Sequence, residues 1–292
     1  MTEGELTAAA SGVFAIGHNV AVTRLGLGTM RLADRGHRDE AAHREVAIRV
    51  LRRGVELGID FIDTAGSCGP LAAEELIREA LYPYRGVTIA AKGGLARTGP
   101  GQPQTAARPE DLRESVEASL RRLGLDIIEL YQLQGFDAAV PAADQIGVLA
   151  ELRAEGKIRH IGLCQVDVAD IREARLTAPV ACVQNVYHVA DRSSEAALEY
   201  CEREGLGFIA CSPLGPAGAG RRSEMPLPLA QLARQSGTSP AQLALAWLLR
   251  RSPAALPIPG TGLVAHLEEN VAAAELELSD EEFRALSEVA EP

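Results

Sequence analysis

Glu45 to Ala65 read EVAIRVLRRGVELGIDFIDTA. Over Glu45–Leu57 the pattern turns Val46, Ile48, Val50, Leu51 and Val55 toward a core and the arginines largely outward, which predicts an amphipathic helix. A short β-rich run, Phe61–Ala65, follows it. The same alternation continues in both directions. Strands are predicted at Gly26–Met30, Thr88–Lys92, Ile127–Gln134, His160–Cys164, Cys182–Tyr187, Gly207–Pro213 and Leu256–Pro259. Helices are predicted at Arg108–Leu123, Ala143–Glu155, Ser194–Glu204 and Leu227–Gln235. Ser239-Pro240 reads as a further helix start, and Ser279 with Glu282 as the capping box of a final helix.

Strand–helix repetition without a linker implies parallel strands and right-handed crossovers. Eight such strands suit a closed (β/α)8 TIM barrel, which needs about 250 residues; the chain has 292. It is read as one domain over 1–292, with 1–12 expected to be flexible. Two earlier runs, Val13–Ile16 and Val20–Thr23, flank Gly17-His18-Asn19 and predict an N-terminal hairpin. A Rossmann fold would need a GxGxxG after the first strand, and Gly26-Leu27-Gly28-Thr29-Met30 lacks that spacing. The irregular stretches Gly93–Ala107 and Gly215–Arg222 each follow a strand. They are therefore expected at the barrel mouth, where active sites of this fold form.

The net charge of −11 argues against a nucleic-acid partner, which would call for a basic stripe. No apolar run is long enough to predict a membrane span, and the start lacks a signal-peptide pattern. Five cysteines, an odd number without a CxxC pair, argue against a disulfide framework and suit a cytoplasmic protein. Aromatic residues are only 4% of the chain, so aliphatic side chains must fill the core.

Several motifs, in order, sit at predicted strand ends. They are Leu25–Leu32 (LGLGTMRL), Gly58–Ala65 (GIDFIDTA), Glu155–Gly162 (EGKIRHIG), Val183-Gln184-Asn185, Ser212-Pro213-Leu214, Pro257–Thr261 (PIPGT) and Leu267–Val271 (LEENV). Together they resemble the aldo-keto reductase superfamily, from about Val13 to Leu286. The resemblance implies hydride transfer between a nicotinamide and a carbonyl carbon, with a small-molecule substrate and NADP as cofactor, NAD being the alternative. It leaves the oligomeric state open.

Within the resemblance, Asp63 and Lys92 match two members of the family's Asp-Tyr-Lys-His tetrad. The plainer reading of that couple is a satisfied buried salt bridge. Cys68 stands where the tyrosine acid is expected and Gln134 where the histidine is expected. Gln134 can hydrogen-bond a carbonyl but carries no titratable proton. Around the nicotinamide, Cys164 and Gln165 replace a small polar residue and an asparagine, and Cys211 replaces a stacking aromatic. Gln184 is retained for the carboxamide, and Ser212 and Leu214 belong to the same pocket. At the other end of the cofactor, Gly260 and Thr261 fall in the phosphate loop, and His266 where an arginine often meets the 2′-phosphate. Glu269 and Asn270 match adenine contacts. No metal site is expected.

Three readings follow. A reductase with this site lacks its positioned acid, a handicap of about 10²–10⁴-fold unless the substrate brings an acidic group. A thiolate at Cys68 beside Lys92 would instead suit non-redox chemistry such as elimination, dehydration or isomerisation, and Tyr187 or His188 could supply a proton, although a core tyrosine and a loop histidine are the plainer and favoured readings of those two. The third is a catalytically silent barrel that binds nucleotide.

Overall fold

The structure is a computed structural model that describes residues 6–33, 40–66, 73–96, 104–215 and 227–290. The hairpin predicted from the sequence is present: β1 (Val13–Ile16) pairs antiparallel with β2 (Val20–Thr23). The barrel strands follow in chain order: β3 (Leu27–Gly28), β4 (Phe61–Asp63), β5 (Thr88–Gly93), β8 (Ile128–Gln134), β9 (Ile158–Cys164), β10 (Val180–Val186), β11 (Gly207–Cys211) and β12 (Ala255–Pro257). Between β5 and β8 lies a small antiparallel pair, β6 (Leu95–Ala96) with β7 (Gln104–Thr105). It occupies the irregular Gly93–Ala107 stretch, of which 97–103 lie outside the described residues.

All seven pairings within the eight-stranded sheet are parallel. Its two edge strands, β3 and β12, meet through the amides of Gly26 and Gly28, which donate to the carbonyls of Pro257 and Pro259 at 3.0 and 3.4 Å. Glycine is required at this seam. A Cβ on Gly28 would lie 2.8 Å from the Ile258 carbonyl oxygen, and one on Gly26 would lie 2.8 Å from the Phe61 ring. The strand predicted to run to Met30 stops early. Thr29 turns to donate its amide and hydroxyl to the Asp63 carbonyl, and the short helix α1 (Met30–Ala33) begins.

The outer ring contains α2 (Glu40–Glu56), α3 (Ala73–Leu81), α4 (Pro109–Leu123), α5 (Ala142–Ala154), α6 (Val168–Thr177), α7 (Glu195–Glu204), α8 (Leu227–Ser236), α9 (Pro240–Arg251), α10 (Val264–Ala272) and α11 (Asp280–Ser287). In α2 the buried stripe is His43, Ala47, Val50, Leu51 and Gly54, while Val46, Ile48 and Val55 sit at its margins. Spacings of three and four residues put the former set on one face. The capping boxes at Ser239 and Ser279 are formed, and a third joins Asp167 to Asp170 at the start of α6. Within the stretch 1–12 the structure describes a short element at Ala8–Ser11. These residues form a 3-10 turn capped by Thr7, Ala8 is fully buried, and its amide donates to the Leu57 carbonyl at 2.7 Å.

The lumen is filled in layers. Ile16 and Val22 of the hairpin pack with Phe61, Ala90, Leu130, Cys182, Ile209 and Leu256, the inward residues of successive strands. The hairpin thus plugs one end of the barrel. Thr23 fixes it there, donating its amide and hydroxyl to Asp60 Oδ1 at 2.6 and 2.7 Å. Two residues further along β4, β5, β8 and β10, on the same side because side chains alternate, stand Asp63, Lys92, Gln132 and Gln184, and the lumen becomes polar. Truncating the plug with Ile16→Ala should cost about 2–5 kcal/mol, read from the urea midpoint. A loss below about 0.5 kcal/mol would show that the hairpin is an ornament rather than part of the core.

Candidate active site

The polar layer is built on Asp63, the last residue of β4, and Lys92 near the end of β5. Both are buried, at 5% and 6% exposure. Lys92 Nζ donates to Asp63 Oδ2 in a very short ion pair, and to the Thr64 carbonyl at 2.9 Å. The other carboxylate oxygen, Oδ1, accepts from Gln132 Nε2 at 2.9 Å and from Gln184 Nε2 at 2.8 Å. Gln184 Nε2 also donates to Gln132 Oε1 at 3.2 Å. A buried carboxylate is tolerable only when its oxygens are met in this way.

One cavity opens above this network. Asp63, Lys92, Gln134 and Gln184 reach it from β4, β5, β8 and β10. Cys164 and Gln165 reach it from the end of β9. Cys211, Ser212 and Leu214 reach it from the end of β11, and Gly260 from the segment after β12. Ten of the residues singled out in the sequence therefore converge. Cys68 lies outside the described residues. Thr261, His266, Glu269 and Asn270 continue from Gly260 along the loop into α10. Thr261 and Asn270 are buried there, while His266 is exposed.

Sequence reasoning missed four contributors. Gln132 is wholly buried under Asp63, and its signal was a polar residue two positions before Gln134, on the same side of β8. Thr64 lines the cavity, as do Met30 and Arg31 of α1. Reading Gly26–Met30 as continuous strand concealed the last two. Gln184 lines the cavity as expected, but both of its amide hydrogens turn toward Asp63 and Gln132.

Tyr187 is the core tyrosine of its plainer reading and not a proton donor to the cavity. Tyr187 faces the helical shell, stacks on Trp247 and donates to Glu195 Oε2 at 2.5 Å; burial pushes its pKa up. His188 Nδ1 accepts from the Ala190 amide at 3.2 Å, burial pushes its pKa down, and its ring lies beside Gly215 of the cavity lining. Cys211 is a thiol: burial first, and the Asp63 charge second, push its pKa up to about 11. Cys164 donates weakly to Gln184 Oε1 at 3.8 Å. Among the described residues no group of His, Cys, Asp or Glu is placed to hold a metal ion.

Two rim residues adopt left-handed backbone, Gln165 at φ 60° and Ser212 at φ 50°. Such strain in non-glycine residues collects at functional sites. The Asn185 side chain holds the first turn in place, accepting from the Val166 amide at 3.1 Å and donating to its carbonyl at 2.8 Å. The Gly260 region fits a phosphate-bearing ligand. Nothing lies within 4 Å of a Cβ placed on Gly262, and the first turn of α10 has no side-chain cap. Its backbone N–H groups are the kind that hold phosphate, and Arg31 approaches the site of a Gly260 Cβ to 3.4 Å.

A family model described as the aldo/keto reductase family matches residues 24–291. The chain is 46% identical over 270 residues to an uncharacterized oxidoreductase of Schizosaccharomyces pombe, covering 92% of this chain and 87% of that protein. It is 40% identical over 278 residues to the pyridoxine 4-dehydrogenase of Escherichia coli, covering 93% and 96%. Among solved structures, it superposes on an aldo/keto reductase from Klebsiella pneumoniae in complex with NADP and acetate, with a TM-score of 0.79, 29% identity and 94% of each chain covered.

Two measurements test this geometry. Lys92→Met leaves the Asp63 carboxylate buried and unpaired, and should lower stability by about 3–5 kcal/mol in denaturant unfolding. For Cys211, site-resolved alkylation followed by mass spectrometry should rise about tenfold per pH unit from pH 7 to 10 without levelling, because the thiolate forms only near pH 11. A plateau near pH 8–9, as for an ordinary thiol of pKa about 8.5, would contradict the burial seen here.

Proposed function

The chain belongs to the aldo/keto reductase family, and on that premise we propose that it is an NADP(H)-dependent oxidoreductase of a carbonyl/alcohol couple with an altered proton-transfer site. The observation that carries the reading is the buried Asp63–Lys92 pair, set at the mouth of the barrel and opening on the cavity that Gln134 and Cys211 share.

NADP(H), when bound, supplies or receives the hydride. Arg31, Gly260, Thr261 and the first turn of α10 are suited to its phosphates, with Glu269 and Asn270 beyond them for the adenine and His266 for the 2′-phosphate. Gln165, Ser212 and Leu214 line the same cavity near the β9 and β11 ends, and Gln184 with Cys164 and Cys211 forms the floor against which the reacting ring would rest. Lys92, held by Asp63 and the Thr64 carbonyl, places a positive charge where a carbonyl oxygen gains negative charge. Gln134 adds an amide hydrogen bond to that oxygen without providing a proton. By sequence, residue 68 is a cysteine where the family has its acid. General reduction of simple carbonyls is therefore slow, and turnover depends on another proton source.

The relative from Escherichia coli makes pyridoxine the first alcohol to assay with NADP. Binding is tested by titrating NADPH fluorescence with the protein; an unchanged spectrum at saturating protein sinks the cofactor assignment. Chemistry is tested with Cys68→Tyr combined with Gln134→His. Simple aldehyde reduction should rise by about 10²–10⁴-fold. If NADPH binds and the double variant gains nothing, the pocket serves non-redox chemistry instead.

A further inference from the structure

Asn185 follows Gln184 on β10, so its side chain leaves the opposite face of the strand, away from the lumen. It is buried, and it lines a second cavity of about 340 Å³ between the ends of β9 and β10 and the start of α7. Asp167, Ser193 and Ser194 make that cavity partly polar. Gln165 and Val186 line this cavity and the active-site cavity alike. The turn after β9 is therefore a partition between the two.

The partition carries strain. Gln165 takes left-handed backbone, which a residue with a Cβ keeps only where its surroundings impose it. Its amide donates to the Gln184 carbonyl at 2.8 Å. The next residue, Val166, is buried, and both of its main-chain groups are met by the Asn185 side chain. Oδ1 accepts from the amide at 3.1 Å, and Nδ2 donates to the carbonyl at 2.8 Å. Without Asn185 both groups would be buried and unmet, which is costly. Water in the second cavity could meet them if the turn shifted that way, and the strain at Gln165 favours such a shift.

We propose that Asn185 is a positioning residue that sets the size of the active-site cavity by holding this partition, and that it thereby excludes substrates long enough to reach past Gln165 toward α7. Asn185 touches no substrate in this role. It acts through Val166 on Gln165 and on Cys164, the residue before it, both of which line the active-site cavity. The limit on substrate length rests on the reductase reading above; the hold on the partition does not.

The test compares the full chain with Asn185→Ala by site-resolved alkylation with N-phenylmaleimide. Cys164, at 2% exposure, reports on the partition, and Cys182, wholly buried in the apolar plug, reports on opening of the whole barrel. Cys164 labelling should rise about tenfold or more in the variant while Cys182 stays protected. With NADPH, kcat/KM for 2-naphthaldehyde relative to benzaldehyde should also rise about tenfold. The milder Asn185→Asp keeps an acceptor for the Val166 amide but has no N–H for its carbonyl, and should move both readouts the same way by less. Unchanged Cys164 labelling means that the partition stands without Asn185, and equal rises at Cys164 and Cys182 mean that the residue serves general stability. Either result overturns the inference and leaves the reductase reading intact. Exposed Cys164 with an unchanged aldehyde ratio overturns the limit on substrate length. No turnover of either aldehyde or of pyridoxine, with NADPH bound, counts against the reductase reading, and alkylation alone then decides the role of Asn185.

Discussion

The ion pair between Asp63 and Lys92 sets the terms for the rest of the lumen. Two opposite charges at about one-twentieth exposure each are costly to bury, and they are accepted because every side of the carboxylate is met. Gln132 and Gln184 are there for Asp63 as much as for any ligand. Their amides come from β8 and β10, so the pair also ties together strands that do not all neighbour one another. A carboxylate without those donors would demand water where the barrel packs tightly.

Below the pair, the barrel is an apolar plug; above it, a polar mouth. The division is imposed by strand periodicity. Inward positions recur every second residue, so Leu130, Gln132 and Gln134 step from hydrocarbon to network to cavity along one strand. Cys182, Gln184 and Val186 do the same on β10. The hairpin closes the apolar end, and chemistry is left to the end where the strands finish. Of the four buried side-chain atoms left without a partner among the described residues, two, Thr64 Oγ1 and Gln134 Oε1, belong to residues that line the cavity.

Much of this was legible in the sequence. The strand and helix alternation placed eight barrel strands within a residue or two, and the Ser239 and Ser279 caps were read correctly because capping is local. The motifs identified Asp63, Lys92 and Gln134 as neighbours, since residues at the ends of successive parallel strands must share one face of a barrel. Helix α6 escaped notice because its faces are mixed and its periodicity weak, and its Asp167 box went with it; α3 was missed although its apolar and polar faces are well separated. Met30 and Arg31 were misread because the turn at Thr29 is imposed by the Asp63 carbonyl, a contact between residues 34 apart in the chain.

The sequence by itself determined the fold class, the order of elements and the kinds of side chain at each strand end, because these follow from local periodicity and caps and, through motif resemblance, from family. Tertiary structure alone decided how those side chains divide their hydrogen bonds. Whether Gln184 faces a ligand or Asp63, whether Tyr187 points into the mouth or into the helical shell, and which amide oxygen is left unmet all depend on register and tilt across the closed sheet. Those are relations between strands distant in the chain, and no local pattern encodes them.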